Sequence, residues 1–249
     1  MIRFVFCIIV ILLFGIYSIF DAIFCLFVQD KEYLKIHNNK IVKAVINIVL
    51  LISGVKISVQ GNENYKSLND EKAIFIISNH RGYFDILSGY ITLDRDCSII
   101  AKHELKKLPI VGYWMKKIGC LFLDRSDLRS GANMVIDAIK LLNTGKSVWV
   151  FPEGTRNKNT DASQLLEFKS GTFKIPEKAN CYILPMAILN SDQVFENQLP
   201  RIKPTTIYIG FGKAYKISEL NDEDRNNIAE YNMKLMSNLL INLKGKARE

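Results

Sequence analysis

Two apolar runs of strand length, Ala73–Ile77 and Ser147–Phe151, pass directly into polar, turn-forming segments. The first leads into Ser78-Asn79-His80-Arg81-Gly82-Tyr83-Phe84-Asp85, the second into Phe151-Pro152-Glu153-Gly154-Thr155-Arg156. Buried strands that end in polar turns are how an α/β protein lays out an active site. From about residue 56 the remaining pattern agrees. Lys56–Gln60 alternates polar and apolar residues like a half-exposed strand, and Ser98–Ala101, Cys181–Leu189 and Thr205–Gly212 read as further strands. Pro185, inside Cys181–Leu189, predicts an edge or irregular position. Phe84–Leu93 reads as a short helix. Ser126-Asp127 starts another, with Leu128, Val135, Ala138, Ile139 and Leu142 at helical spacing and Gly145 as its stop. Asn221 predicts the cap of a final helix through Leu243, with an exposed basic tail at Lys244–Arg248. The expected fold class is α/β, a mixed β-sheet flanked by helices behind an N-terminal membrane-associated helical segment. Residues 1–55 form that segment and residues 56–249 the α/β domain.

The N-terminus reads as a retained membrane anchor. Phe4 to Phe20 carries no charge, and Ala22–Val28 continues the run after Asp21. Seventeen helical residues span roughly 25 Å, short of the roughly 30 Å hydrocarbon core of a bilayer. Gln29-Asp30-Lys31-Glu32 follows, with no small-x-small site for cleavage. Ile41–Val55 is a second apolar stretch, interrupted by Lys43 and Asn47, and fits an interfacial or half-dipping helix. Lys31, Lys35 and Lys40 between the two segments oppose a double crossing, which puts the body on the cytoplasmic side. Arg3 and Asp21 cancel within residues 1–28, so the net charge of +8 belongs to the remainder. A basic body suits nucleic acid or an anionic membrane surface that presents phosphorylated substrates. Five cysteines, odd in number and without C-x-x-C spacing, imply reduced thiols and no zinc site.

The chain has three histidines, His37, His80 and His103. His37, among asparagines and lysines, reads as a solvated loop residue; His103 is flanked by Lys102 and Glu104. His80 alone follows a buried strand with a carboxylate close by, which suits removing a proton from a hydroxyl or thiol. Five residues do not return to one helix face, so a turn must lie between His80 and Asp85, and Gly82 makes one available. The bland alternative is that both residues merely cap their elements. In the second segment Gly154 lets the backbone approach a ligand, and Arg156 can make paired hydrogen bonds to a phosphate; a surface turn with a solvated arginine is the alternative. Gly119-Cys120-Leu121-Phe122-Leu123-Asp124-Arg125 again ends an apolar run in charge, with Arg125 either a phosphate ligand or the partner of Asp124. No G-x-S-x-G elbow is present, which argues against a serine hydrolase.

These segments resemble the blocks of the glycerolipid acyltransferase family, specifically the lysophosphatidate acyltransferases (1-acylglycerol-3-phosphate O-acyltransferases). Asn79-His80 with Asp85 matches the first block, Gly119–Arg125 the second, Phe151–Arg156 the third and Ile183-Leu184-Pro185-Met186 the fourth. Lys102-His103-Glu104-Leu105 with Pro109 and Gly112, and Phe168-Lys169-Ser170-Gly171, stand where relatives have similar stretches. The likeness covers roughly residues 60–215. Gly82, Asn157 and Met186 depart from the common pattern, which has serine at the first position. The resemblance implies an acyltransferase domain at 56–249 in which His80 is the general base and Asp85 orients it. Lys102, Arg125 and Arg156 would hold the acceptor phosphate, with Glu153, Gly154 and Thr155 in the same substrate loop. It implies an acyl carrier protein or coenzyme A thioester as donor, lysophosphatidate as acceptor and the membrane bilayer as partner. No cofactor, metal or nucleic acid is implied, and the place is the cell (inner) membrane with the domain facing the cytoplasm. Another lysophospholipid, glycerol 3-phosphate or a lyso-aminolipid is the alternative acceptor. A membrane-tethered basic binding module without activity is the alternative class; it explains the charge and the anchor but not the His–Asp pair.

Overall fold

A computed structural model of the protein describes residues 1–248, apart from the side chain of Leu128. The strands are β1 (Lys56–Gln60), β2 (Phe75–Ser78), β3 (Cys97–Lys102), β4 (Leu121–Leu123), β5 (Ser147–Val150), β6 (Ile183–Leu189) and β7 (Thr206–Phe211). They make one seven-stranded sheet in the order β1-β7-β6-β2-β5-β3-β4. β2 to β6 are parallel, while β7 runs against β6 and carries β1 with it. The α/β expectation holds, and its mixed sheet has a functional consequence. The carboxyl ends of β2, β3, β4, β5 and β6 share one edge, where open α/β sheets bind their ligands.

The helices are α1 (Ile2–Phe27), α2 (Lys31–Ser53), α3 (Asn62–Lys66), α4 (Tyr83–Thr92), α5 (Pro109–Lys117), α6 (Leu128–Asn143), α7 (Lys174–Ala179), α8 (Asp222–Asn226) and α9 (Ile228–Lys246). They cover both faces of the sheet. Side chains alternate across a strand: Ile74, Ile76 and Trp149 pack with Val42, Leu50, Tyr90 and Trp114 on one face. Phe75, Ile77, Val148 and Val150 pack with Ala138, Leu142, Met236 and Leu240 on the other. The middle strand β2 is therefore buried throughout, which is why its sequence shows a continuous apolar run rather than alternation. Trp149 is fully buried and donates its Nε1 hydrogen to Ser78 Oγ at 2.9 Å, so the indole leaves no orphan donor.

Two expectations need correction, and the two alternatives for Pro185 are decided. Pro185 is not on an edge strand, because β6 lies between β7 and β2. It is tolerated at an irregularity: Gly212 N–H donates to its carbonyl, and the register slips by one residue before Ile183 and Tyr215 exchange both bonds. The final helix does not start at Asn221, which caps the short α8 by accepting Asp224 N–H. The separate α9 runs on to Lys246, so most of the supposed basic tail is helical. His37 is not in a solvated loop but in α2, 3.3 Å from Asp21 Oδ1.

That contact follows from the length of α1. α1 continues through Asp21 for 26 residues, about 39 Å at the helical rise. α1 and α2 are both long and apolar enough to cross a membrane, by length and composition. Asp30 caps α2 by accepting the N–H groups of Glu32 and Tyr33, and Gly54 ends it in the left-handed conformation. The two helices are antiparallel, since Arg3 donates to Ile52 O at 2.7 Å. α1 also lies along the body: Phe4 stacks on Phe195, Phe14 on Trp114, and Ser18 accepts from Trp114 Nε1 at 2.7 Å. The charge of Asp21 does not face outward. It is buried and accepts from Tyr113 OH at 2.8 Å, with Lys117 3.7 Å away.

Candidate active site

At the shared edge, the turn after β2 is organised around one carboxylate. Asp85, in the first turn of α4, is fully buried. Its Oδ2 accepts His80 Nδ1–H at 2.8 Å, Arg81 N–H at 2.6 Å and Gly82 N–H at 2.7 Å. Its Oδ1 accepts the hydroxyl of Ser191 from the turn after β6. The capping role and the His–Asp couple are thus one arrangement. A carboxylate can only accept here, so Nδ1 carries a proton, and in the neutral ring Nε2 is the nitrogen with the lone pair. The imidazole packs against Phe151, 4.3 Å between ring centres, and is 18 % exposed. Among the described residues nothing hydrogen-bonds its Nε2. The arrangement is an imidazole fixed through Nδ1 whose Nε2 is open to a ligand, the geometry that proton abstraction needs.

The segment after β5 wraps this turn. Glu153 divides its oxygens between His80 N–H at 2.8 Å and Leu166 N–H at 2.9 Å. Burial pushes its carboxyl above the ordinary range, against the hydrogen bonds that favour the charged form. Glu153 therefore ties the loop to the histidine backbone. Asn157 adds a second tie, donating its N–H to His80 O at 2.7 Å. Gly154 has φ +72°, a conformation glycine adopts without strain. Arg125, after β4, lies against it, its guanidinium carbon 4.0 Å from where a Gly154 side chain would begin. Asp124 does not claim Arg125; its carboxylate accepts from the backbone and hydroxyl of Ser126. Arg156 is 40 % exposed, its guanidinium 4.7 Å above the Tyr83 ring. Thr155 is exposed beside it. Lys102 ends β3 on the same edge but leans toward Glu104, 3.6 Å away. The fold thus gathers His80, Asp85, Glu153, Gly154, Thr155, Arg156 and Arg125 at one place, with Lys102 at its margin.

A model of the Acyltransferase family matches residues 56–189. The chain belongs to the Acyltransferase family. It is 31% identical over 186 residues to a 1-acyl-sn-glycerol-3-phosphate acyltransferase of Borreliella burgdorferi, covering 75% of this chain and 72% of the relative. A probable 1-acyl-sn-glycerol-3-phosphate acyltransferase of Mycoplasma pneumoniae is 27% identical over 220 residues, 81% of this chain and 80% of its own. A yeast enzyme of that name, from Saccharomyces cerevisiae, is 28% identical, and the chain spans 56% of its length. The crystal structure of the 1-acyl-sn-glycerophosphate acyltransferase PlsC from Thermotoga maritima has the same fold, with TM-score 0.74 at 21% identity over 97% of this chain and 98% of the other.

In this acyltransferase, sequence reasoning passed over the turn after β6. Ser191 holds Asp85, and Asp192 Oδ2 accepts from Nε and Nη2 of the buried Arg81 at 2.9 and 2.7 Å. Asn79 fills the same seam, its amide exchanging two 2.8 Å bonds with the backbone of Ile188. A signal for these residues existed. Asn190-Ser191-Asp192 is a polar turn directly after a buried strand, the same context that singled out His80 and Glu153.

Proposed function

We propose that this acyltransferase carries an acyl chain from an acyl thioester to the sn-2 hydroxyl of 1-acylglycerol 3-phosphate and so makes phosphatidic acid. The observation that carries the reading is the free Nε2 of an imidazole fixed through Nδ1 by Asp85. Nε2 takes the hydroxyl proton as the oxygen attacks the thioester carbonyl. The C–O bond forms, the C–S bond breaks, and the departing thiolate recovers the proton from the imidazolium. Asp85 stabilises that imidazolium, and no residue is acylated. Arg156 and Arg125 bind the acceptor phosphate, with Lys102 swinging in from the margin. Glu153 orders the loop, and Gly154 and Thr155 line it. The donor is an acyl carrier protein or coenzyme A thioester.

Residues 1–55 serve as the membrane-associated part and residues 56–249 as the catalytic domain. α1 presents an apolar row, including Phe6, Leu12, Leu13, Ile16, Ile19 and Phe20, larger than a soluble monomer leaves bare. Because α1 is held along the body, it fits a hairpin sunk into one leaflet beside the site, where a single-chain lipid enters and a two-chain lipid leaves. The basic body and unbridged cysteines fit the cytoplasmic face of the cell (inner) membrane. The test is purified protein with lysophosphatidate against each donor type. Phosphatidate from one of them is expected; thioester hydrolysis without transfer, or transfer only to uncharged acceptors, contradicts the reading.

A further inference from the structure

Glu196 stands at the site without a task in that reaction. It begins a short turn, Glu196–Gln198, with its side chain 14 % exposed. Oε1 accepts the N–H of Tyr83, the first residue of α4, at 2.6 Å. The same oxygen lies 3.8 Å from Arg156 Nη1, too far for a hydrogen bond but close enough for charge to act. Oε2 is buried with no hydrogen-bond partner among the described residues. The carboxylate also fills the volume a side chain at position 82 would need, since a Cβ on Gly82 would come within 2.6 Å of Glu196 Cδ and Oε2. Gly82 has φ −158°, extended backbone that any residue adopts. Glu196 takes the space there, and a side chain at position 82 would have to push its carboxylate aside.

Arg156 therefore faces a resident anion before any ligand arrives. We propose that Glu196 sets the charge selectivity of the acceptor site, holding Arg156 in the unliganded enzyme and opposing the full charge of an incoming phosphate. The inference rests on the assignment of Arg156 to the acceptor phosphate. An acceptor displaces the weak Arg156–Glu196 pair and gains the guanidinium, but each negative charge it brings also meets the uncompensated Oε2. Burial pushes the Glu196 carboxyl above its usual range, Asp85 adds to the effect and Arg156 opposes it, as expected for a carboxylate with incomplete compensation.

The experiment is steady-state kinetics of the full-length enzyme and the variants E196Q, R156A and E196Q/R156A in one membrane mimetic. Lysophosphatidate, a phosphomonoester, is compared with lysophosphatidylglycerol, a phosphodiester, each scored as substrate or competitive inhibitor. Gln keeps the volume and an oxygen for Tyr83 N–H. E196Q is expected to lower KM for lysophosphatidate about three- to tenfold with kcat within about twofold, and to act less on the phosphodiester. The gain should vanish in the R156A background. An unchanged or raised KM in E196Q, or an equal gain without Arg156, overturns the inference about Glu196 alone. R156A with unaltered KM overturns both it and the assignment of Arg156.

Discussion

Ser191 gives its hydroxyl proton to Oδ1 of Asp85, the oxygen that His80 does not use. The proposed general base, His80, is thus buttressed at one remove, by a turn more than a hundred residues away in sequence. S191A leaves a buried carboxylate oxygen without that partner, at a cost of about 1–3 kcal/mol in the stability of the aligned dyad. Steady-state kinetics should show kcat falling roughly tenfold with KM nearly unchanged. A larger effect on KM than on kcat would move Ser191 from positioning Asp85 to binding substrate.

Asp85 is a cap and, in the proposed mechanism, a catalytic partner, and two substitutions separate the roles. In D85N the amide oxygen can still accept from His80 and the N–H groups of Arg81 and Gly82. Its NH2 can donate to Ser191, whose hydroxyl accepts as well as it donates. The fold should hold, with Tm within a few degrees, while kcat drops about a hundredfold or more because the imidazolium loses its countercharge. D85A should lower Tm as well. Equal melting losses in both variants would reduce Asp85 to a structural cap.

The Glu196 carboxyl titrates above its ordinary range when folded. A raised folded value means that the native state binds more protons than the unfolded chain between the two values. Its contribution to stability is then full at low pH and lost as pH rises from about 4.3 through the folded value. E196Q lacks this loss, so its Tm relative to wild type should climb across that window and then level off. A difference that is flat or falling with pH contradicts the assignment.

Asp21 joins the hairpin to α5 through Tyr113 and Lys117. D21A deletes the acceptor and leaves both partners partly buried, so about 2–4 kcal/mol of packing stability should be lost. Limited proteolysis in detergent should then cut more quickly between residues 28 and 56. Unchanged protection would mean that the apolar contacts of Phe4 and Phe14 hold α1 by themselves.

The elements that position the site were legible where a signal was local. Ala73–Ile77 and Ser147–Phe151 read as buried strands because helices cover both faces of β2 and β5. His80 and Asp85 were legible because one turn holds them. The pairings of their supports were not: the polar turn at Asn190-Ser191-Asp192 is visible, but Ser191, Asp192 and Glu196 reach Asp85, Arg81 and Tyr83 only through the sheet order, which no local pattern encodes. Gly82 reads as the residue that makes the turn available, yet its backbone is extended and the Glu196 carboxylate occupies the space a side chain there would enter. Pro185 left an edge and an irregular position equally open, because sequence gives no notice of the one-residue slip that accommodates it. His37 looked solvated since its partner, Asp21, was hidden in an apolar run.

The central claim is that His80 is the base in a direct transfer. Purified wild type and H80A, in one membrane mimetic with lysophosphatidate and a labelled acyl thioester, measure it in one assay of turnover and of label retained on quenched protein. The account predicts that kcat falls by a factor of about 10²–10⁴ in H80A with Tm preserved, and that neither protein carries label. Activity within tenfold of wild type, or acyl label trapped on the wild-type protein during turnover, contradicts it.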